Sequence, residues 1–355
     1  MGRWHRHWSH FIGLSIAVPA GVAIVNGLPV NGLPAQAAPS LTEQLHRAPS
    51  QTIRAQRDVA DQFLLVGQAQ INAGNHEQAI AALGEAANAY HYLGDFAGMG
   101  EAYEQLAKVY SGLGRYDEAT QVVRSQLAIA RSNNNYSDQI LAYNNLGTLS
   151  LQAGDLATAQ AAFTEGLAIA QSVESQSGIG LSLSNLGLIA VSNGQTNDAR
   201  KYYEVAANYR ARARDYAGQA NTDSNLGDVY LATDRLREAV GAYRLSLSLA
   251  KEVNEPYIQL RALDGLISVY RKLNEPSELM AYLNSRIELT ASTGDDWQRL
   301  LTLRTIGEIN EENGNLREAY ESYQRALQIA TQLDRKQVQG ELSNRVRRLS
   351  LQLAD

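Results

Sequence analysis

Apolar and polar positions recur along this chain at helical spacing, and the recurrence itself repeats every forty residues. Rows of forty set beneath one another from residue 61 bring Gly67, Gly147, Gly187, Gly227 and Gly307 into one column, with Ala107 and Ile267 in the gaps. Leu146, Leu186, Leu226 and Ile306 stand just before four of these glycines. A second column holds Gly74, Gly114, Gly154, Gly194 and Gly314, with Asp234 and Asn274 substituting. A third is Ala79, Ala119, Ala159, Ala199, Ala239 and Ala319, with Leu279 the exception. The fourth is bulky throughout: Leu83, Val123, Phe163, Tyr203, Tyr243, Leu283 and Tyr323.

Row three shows what each column predicts. Tyr143, Leu146 and Gly147 mark the apolar stripe of a first helix, and the small residue lets a neighbouring helix approach closely. Gly154 ends that helix, because a residue without Cβ enters the left-handed region at no steric cost. Asp155 is placed to N-cap a second helix, on which Ala159 and Phe163 share a face. Pro256 and Pro276 fit the first position of a helix, where the missing N–H costs nothing. No row alternates as a strand would. The sixth row, with Ile267, Asn274, Leu279 and Leu283, is degenerate and reads as either a bend or a drifted repeat. After the seventh row Val346, Leu349 and Leu353 share a face beside Arg345, Arg347 and Arg348, which suits a terminal capping helix.

The first 37 residues follow different rules. Arg3 and Arg6 precede the apolar run Phe11–Val25, and Ala35-Gln36-Ala37-Ala38 follows it. A basic start, a short apolar run and an A-x-A site predict a secretory signal cleaved before Ala38, with Ala35 and Ala37 as the small-residue determinants. An uncleaved anchor is the alternative, but the run is shorter than the roughly 20 residues a membrane-spanning helix needs. Removal of Arg3 and Arg6 takes the formal charge from −6 to −8. The expectation is an exported protein, periplasmic or otherwise lumenal or secreted. Its membrane contact would come only through a partner or an uncleaved signal.

The chain has no cysteine, which excludes disulfides, thiolate metal sites and a cysteine nucleophile. The absence of basic runs argues against nucleic acid. Beyond the signal only His46, His76 and His91 remain, without metal-ligand or triad spacing, and no phosphate-binding glycine motif is present. No catalytic residue, cofactor or small-molecule substrate is predicted. Glu308, Glu311 and Glu312 read as a solvated acidic face; Arg210 to Arg214 reads as cations favoured at a helix C-terminus or as a contact for an acidic partner.

The pattern Tyr143…Leu146-Gly147…Ala159…Phe163, and Leu226-Gly227-x2-Tyr230…Ala239…Tyr243 two rows on, resembles the tetratricopeptide repeat. The resemblance covers residues 61–340. Two features depart from it: the period is forty, and the proline that usually closes the second helix is missing, so that helix runs on through Gly166–Gln171. The longer form is similar to the repeats of kinesin light chain, of cell-polarity adaptors and of bacterial peptide-pheromone receptors. It implies an all-α, right-handed superhelical solenoid of about seven helix-turn-helix repeats. The expected division is a signal over 1–37, a linker or capping segment over 38–60, repeats over 61–340 and a capping helix over 341–355.

The resemblance also implies that first helices line a concave face and that an amide just before the leucine holds the backbone of an extended peptide. That column carries Gln105, Asn145, Asn185 and Asn225, then Gly265 and Thr305. An amide offers both acceptor and donors and can match a peptide unit without reading its side chain. The same asparagines could instead bond neighbouring backbone within the array. Leu151, Leu188, Val191 and Leu231 are the candidate apolar positions beside them, with no evident core to enter; coverage by the second helices is the competing reading. Arg304, Glu308, Glu311 and Glu312 would select charge at one end. The sequence thus points to a non-catalytic scaffold binding a peptide segment of an exported or membrane partner. The alternatives are a spacer that assembles through its edges and through tyrosines such as Tyr202, Tyr203 and Tyr209, and a peptide-sensing regulator.

Overall fold

The computed structural model describes residues 41–354, with side chains from Arg54 onward. The expected signal, with Ala35, Ala37 and Ala38, lies outside the described residues, as does the side chain of His46. Among the described residues there are fifteen helices and no strand. They are α1 (Leu41–Asn72), α2 (His76–Leu93), α3 (Phe96–Gly112), α4 (Tyr116–Ser132), α5 (Tyr136–Gln152), α6 (Leu156–Ser172) and α7 (Gln176–Ser192). There follow α8 (Thr196–Arg212), α9 (Tyr216–Ala232), α10 (Leu236–Glu252), α11 (Pro256–Leu273), α12 (Pro276–Ser292), α13 (Asp296–Glu312), α14 (Leu316–Gln332) and α15 (Lys336–Gln352). Odd-numbered helices through α13 are the first helices of seven hairpins, even-numbered ones the second.

From α2 on, a helix begins every twenty residues, so the forty-residue period is two equal halves. Every connecting turn uses one device. In the turn after α5, Gly154 sits at φ 85° while Asp155 N–H bonds back to Ser150 O at 2.8 Å. Asp155 then caps α6 by accepting from Thr158 N–H at 3.0 Å, so one residue closes one helix and opens the next. The predicted glycine column accounts for the turns inside hairpins. The same left-handed residue also recurs between hairpins, at Gly94, Asn134, Glu174, Arg214, Asn254, Gly294 and Asp334. Only two of those seven are glycine, which is why no column revealed them. Pro256 and Pro276 open α11 and α12 as expected, and His76 opens α2 as an exposed residue rather than lying in the turn.

The chain divides into two compact units at Asn185/Leu186, inside α7. In the first unit each helix from α1 to α5 packs on the next. The fully buried Phe163 ring of α6 lies over Gly147 of α5, where any Cβ would collide with it, and Leu83 covers Gly67 in the same way. In the second row the pair is Ala107 with Val123, a larger residue against a smaller ring-free one, in one cluster with Ala119, Ala142 and Leu149. Of the segment expected as a linker or capping segment over 38–60, residues 41–60 are part of α1, which forms the first hairpin with α2.

In the second unit the lock repeats as Gly187 with Tyr203, Gly227 with Tyr243 and Gly307 with Tyr323. All three rings are fully buried, so Tyr203 is not the surface residue the assembly reading required. Two of the hydroxyls reach acids on the first helix: Tyr243 donates to Asp228 at 2.6 Å and Tyr323 to Glu311 at 3.1 Å. The degenerate sixth row packs well, with Leu263, Leu266 and Val269 buried. Its glycine has moved to Gly265, which faces Tyr243 of the preceding hairpin, so that ring lies between two glycines. The terminal helix α15 starts at Lys336 and buries Leu342 and Leu349; Leu353 falls past its end and is exposed.

Candidate functional site

Within the first unit the amide column lies on α3, α5 and the middle of α7. Its organiser is a residue next to the column, Asn144, which is buried. Asn144 Nδ2 donates to Ile140 O at 2.8 Å and to Ser182 Oγ at 2.9 Å, and its Oδ1 accepts from Asn185 Nδ2 at 2.8 Å. Room for this amide comes from the second helix α6, where a Cβ on Gly166 would lie 2.8 Å from Asn144 Nδ2. The donor of Asn185 therefore ties α7 to α5, which is the internal use of the ladder. Asn145 behaves differently: it is half-buried and makes no side-chain hydrogen bond among the described residues. Gln105 is half-buried with an Oε1 that has no partner.

One helical turn before Asn145 stands Leu141, 51% exposed, and one turn before Asn185 stands the half-buried Leu181. Leu151 is half-buried two turns beyond Leu141's neighbour Asn144. An exposed leucine beside an unengaged amide on α5 is a surface that can bury an apolar side chain and bond a peptide group at once. The columns missed Leu141 and Asn144 because their equivalents vary without pattern: Glu101, Leu181, Asn221 and Arg261 for the first, Glu104, Ser184, Ser224 and Asp264 for the second.

In the second unit the corresponding positions are engaged internally. Asn225 Oδ1 accepts from Arg261 Nη2 at 2.5 Å, and the same nitrogen pairs with Asp228 Oδ2 at 2.6 Å. Ser224 bonds Ser246 at 2.7 Å, and Arg286 pairs with Asp264 at 2.6 Å while also bonding Thr302 and Gln298. Burial holds the Asp264 carboxyl above the usual range despite Arg286. Asp223 is buried with Oδ2 lacking a partner, and burial pushes its pKa up to about 7.

Three expectations change here, and for Arg210 the structure decides between two readings. Leu188, Val191 and Leu231 do have a core to enter: they pack, partly buried, against the cluster built on Tyr203, Leu226, Val229 and Tyr230. Glu308 and Glu311 are not a free acidic face, because Arg345 pairs with Glu308 at 3.3 Å and Arg348 with Glu311, docking α15; Glu312 stays exposed. Arg304 is drawn into the same network by Glu308 and Glu341. Arg210 is buried and paired with Asp215 at 2.5 Å, so it cannot meet an acidic partner. Among the described residues no group of three or more His, Asp or Glu could hold a metal ion, and no helix is long and apolar enough to cross a membrane.

Stacked helical hairpins locked by a glycine under a bulky side chain define a helical-repeat protein. A tetratricopeptide-repeat profile matches residues 98–172, 138–212 and 178–252, and a second tetratricopeptide-repeat profile matches 305–332. The chain belongs to the tetratricopeptide-repeat proteins. A search of the curated proteins found no match. Among solved structures it is similar to BtubC from P. vanneervenii, at 18% identity and TM-score 0.54 over 62% of this chain and 92% of that one. Aspartyl phosphate phosphatase F from Bacillus subtilis is similar at 13% identity and TM-score 0.57, over 82% of this chain and 76% of that one. The Rap conjugation gene regulator of plasmid pLS20, solved in complex with the Phr* peptide, is similar at 20% identity and TM-score 0.50 over 77% and 74%. At these identities the likeness is one of fold.

Proposed function

We propose that the chain is a non-catalytic interaction scaffold whose first-helix face binds an extended peptide segment of another protein. The observation that carries the reading is Leu141 and Asn145 on α5, side by side, one exposed and the other without a partner among the described residues. Burying Leu141 supplies roughly 1.5–3 kcal/mol, while each amide bond to peptide backbone adds only about 0.5–1.5. The leucine thus supplies affinity and the amides give direction. Gln105 on α3 and Asn185 on α7 flank the centre, and Asn185 keeps its carbonyl oxygen for a ligand while its amino group holds Asn144. A peptide-bound structure of similar fold supports a peptide as the ligand class. The signal-like N-terminus supports export, with an exported or membrane protein as the source of that peptide.

The test is selection of a random peptide library on residues 38–355, with affinities of enriched peptides measured by fluorescence anisotropy. Leu141→Asp should weaken binding at least tenfold and Asn145→Ala several-fold, with helix content unchanged. Failure to enrich any peptide, or equal affinity in both variants, would sink the reading.

A further inference from the structure

Helix α1 carries two faces. Ala60, Phe63, Leu64 and Gly67 turn toward α2 and α3. The other face is apolar and uncovered: Val59 is 49% exposed and Val66 42%, with Leu65 beside them at 70%. Val59 and Val66 share their columns with Met99 and Leu106 of α3, which are buried against Ala86, Ala87 and Leu83 of α2. The face is therefore one that a helix covers in the next repeat, and among the described residues nothing covers it in α1.

The spacing along this face identifies the kind of helix it fits. Ala55, Val59, Gln62, Val66 and Ala69 alternate by four and three residues, all are exposed, and none is charged. Thr52 continues the register toward the N-terminus. That is the spacing of the a/d seam of a two-helix coil, with Gln62 as a single polar position of the kind that sets register. At 32 residues α1 is nearly twice as long as its hairpin partner. The chain's other terminal helix offers no match: the exposed positions of α15 include Lys336, Glu341, Asn344, Arg347 and Arg348. Docking those on the valines would strip charged groups of water without partners. A second α1 presents the matching row of small and apolar residues, and seven-residue spacing makes Val59 and Val66 equivalent on both sides of a two-fold axis.

We propose that α1 pairs with α1 of a second copy through Ala55, Val59, Gln62, Val66 and Ala69, forming a symmetric dimer. This interface is separate from the peptide face on α5 and stands or falls independently of it. The test is light scattering on the full chain across the micromolar range, with two kinds of variant. The parent should be a dimer, and the double variant Val59→Asp with Val66→Asp should be a monomer of unchanged helix content, since both side chains are exposed. The absence of native cysteine makes Gln62→Cys a clean reporter: mild oxidation should join two chains, whereas Glu165→Cys on the exposed side of α6 should not. A monomeric parent, a dimer that survives both aspartates, or equal cross-linking at the two cysteines would overturn the proposal. A monomeric parent would assign the face to a helix of another protein or to residues 1–40.

Discussion

Asp223 offers the sharpest test of the physical account. Its column otherwise carries Phe63, Tyr103, Tyr143, Leu183, Leu263 and Leu303, yet here a carboxyl is 4% exposed, with Gln219 as a hydrogen-bond partner and one oxygen unpaired. Burial disfavours the ionised form and raises the pKa from 3.8 to about 7. Between those two values the folded chain keeps a proton that the unfolded chain has released. Stability from this group is therefore complete below the unfolded pKa and is lost as pH rises through the folded one. At about 1.4 kcal/mol per pH unit, the full difference is about 4 kcal/mol, an upper figure because water entry and local relaxation reduce it. Urea denaturation of the parent and of Asp223→Asn, followed by circular dichroism from about pH 4 to pH 8.5, isolates the contribution, since other titrating groups cancel in the difference. The two should be close in stability at the acid end, and the variant should gain steadily to a margin of up to about 4 kcal/mol at the alkaline end. A margin independent of pH would refute the buried, raised carboxyl.

Further outcomes are expected. Gly147→Val drives a side chain into the Phe163 ring and should lower stability by about 1–3 kcal/mol or more, read from the denaturation midpoint. Glu174→Gly, at a residue with φ 54°, should raise stability by about 1 kcal/mol by the same measurement. Asn185→Ala removes the bond to Asn144 and should cost about 1 kcal/mol, while Asn145→Ala should leave the midpoint unchanged and weaken only peptide binding. Mass spectrometry of the chain recovered after export should give a first residue of Ala38; an intact Met1 would favour the anchor.

The sequence by itself determined the hairpin repeat, its length and its core. Gly147 and Phe163, or Gly227 and Tyr243, stand sixteen residues apart within one hairpin, so the contact that selects them repeats in five of the seven rows and shows as a column. The same holds for Gly154 and Asp155, whose roles depend only on backbone a few residues away. What only the tertiary structure decided is which surface groups remain available. Asn145, Asn185 and Asn225 share a column, yet Asn185 is held by Asn144, 41 residues away, and Asn225 by Arg261, 36 residues away, while Asn145 has no such partner among the described residues. Those partners vary from row to row, so the column carries no trace of them. Leu188 and Leu231 likewise look like Leu141 in sequence, but the bulk of Tyr203 and Tyr230 gives them a core to lie against. Arg345 and Arg348 neutralise acids that read as free until α15 is folded back onto them. A repeat records the contacts that most units make; the free energy of a binding face depends on the contacts that particular units do not make, and these appear only when the units are packed.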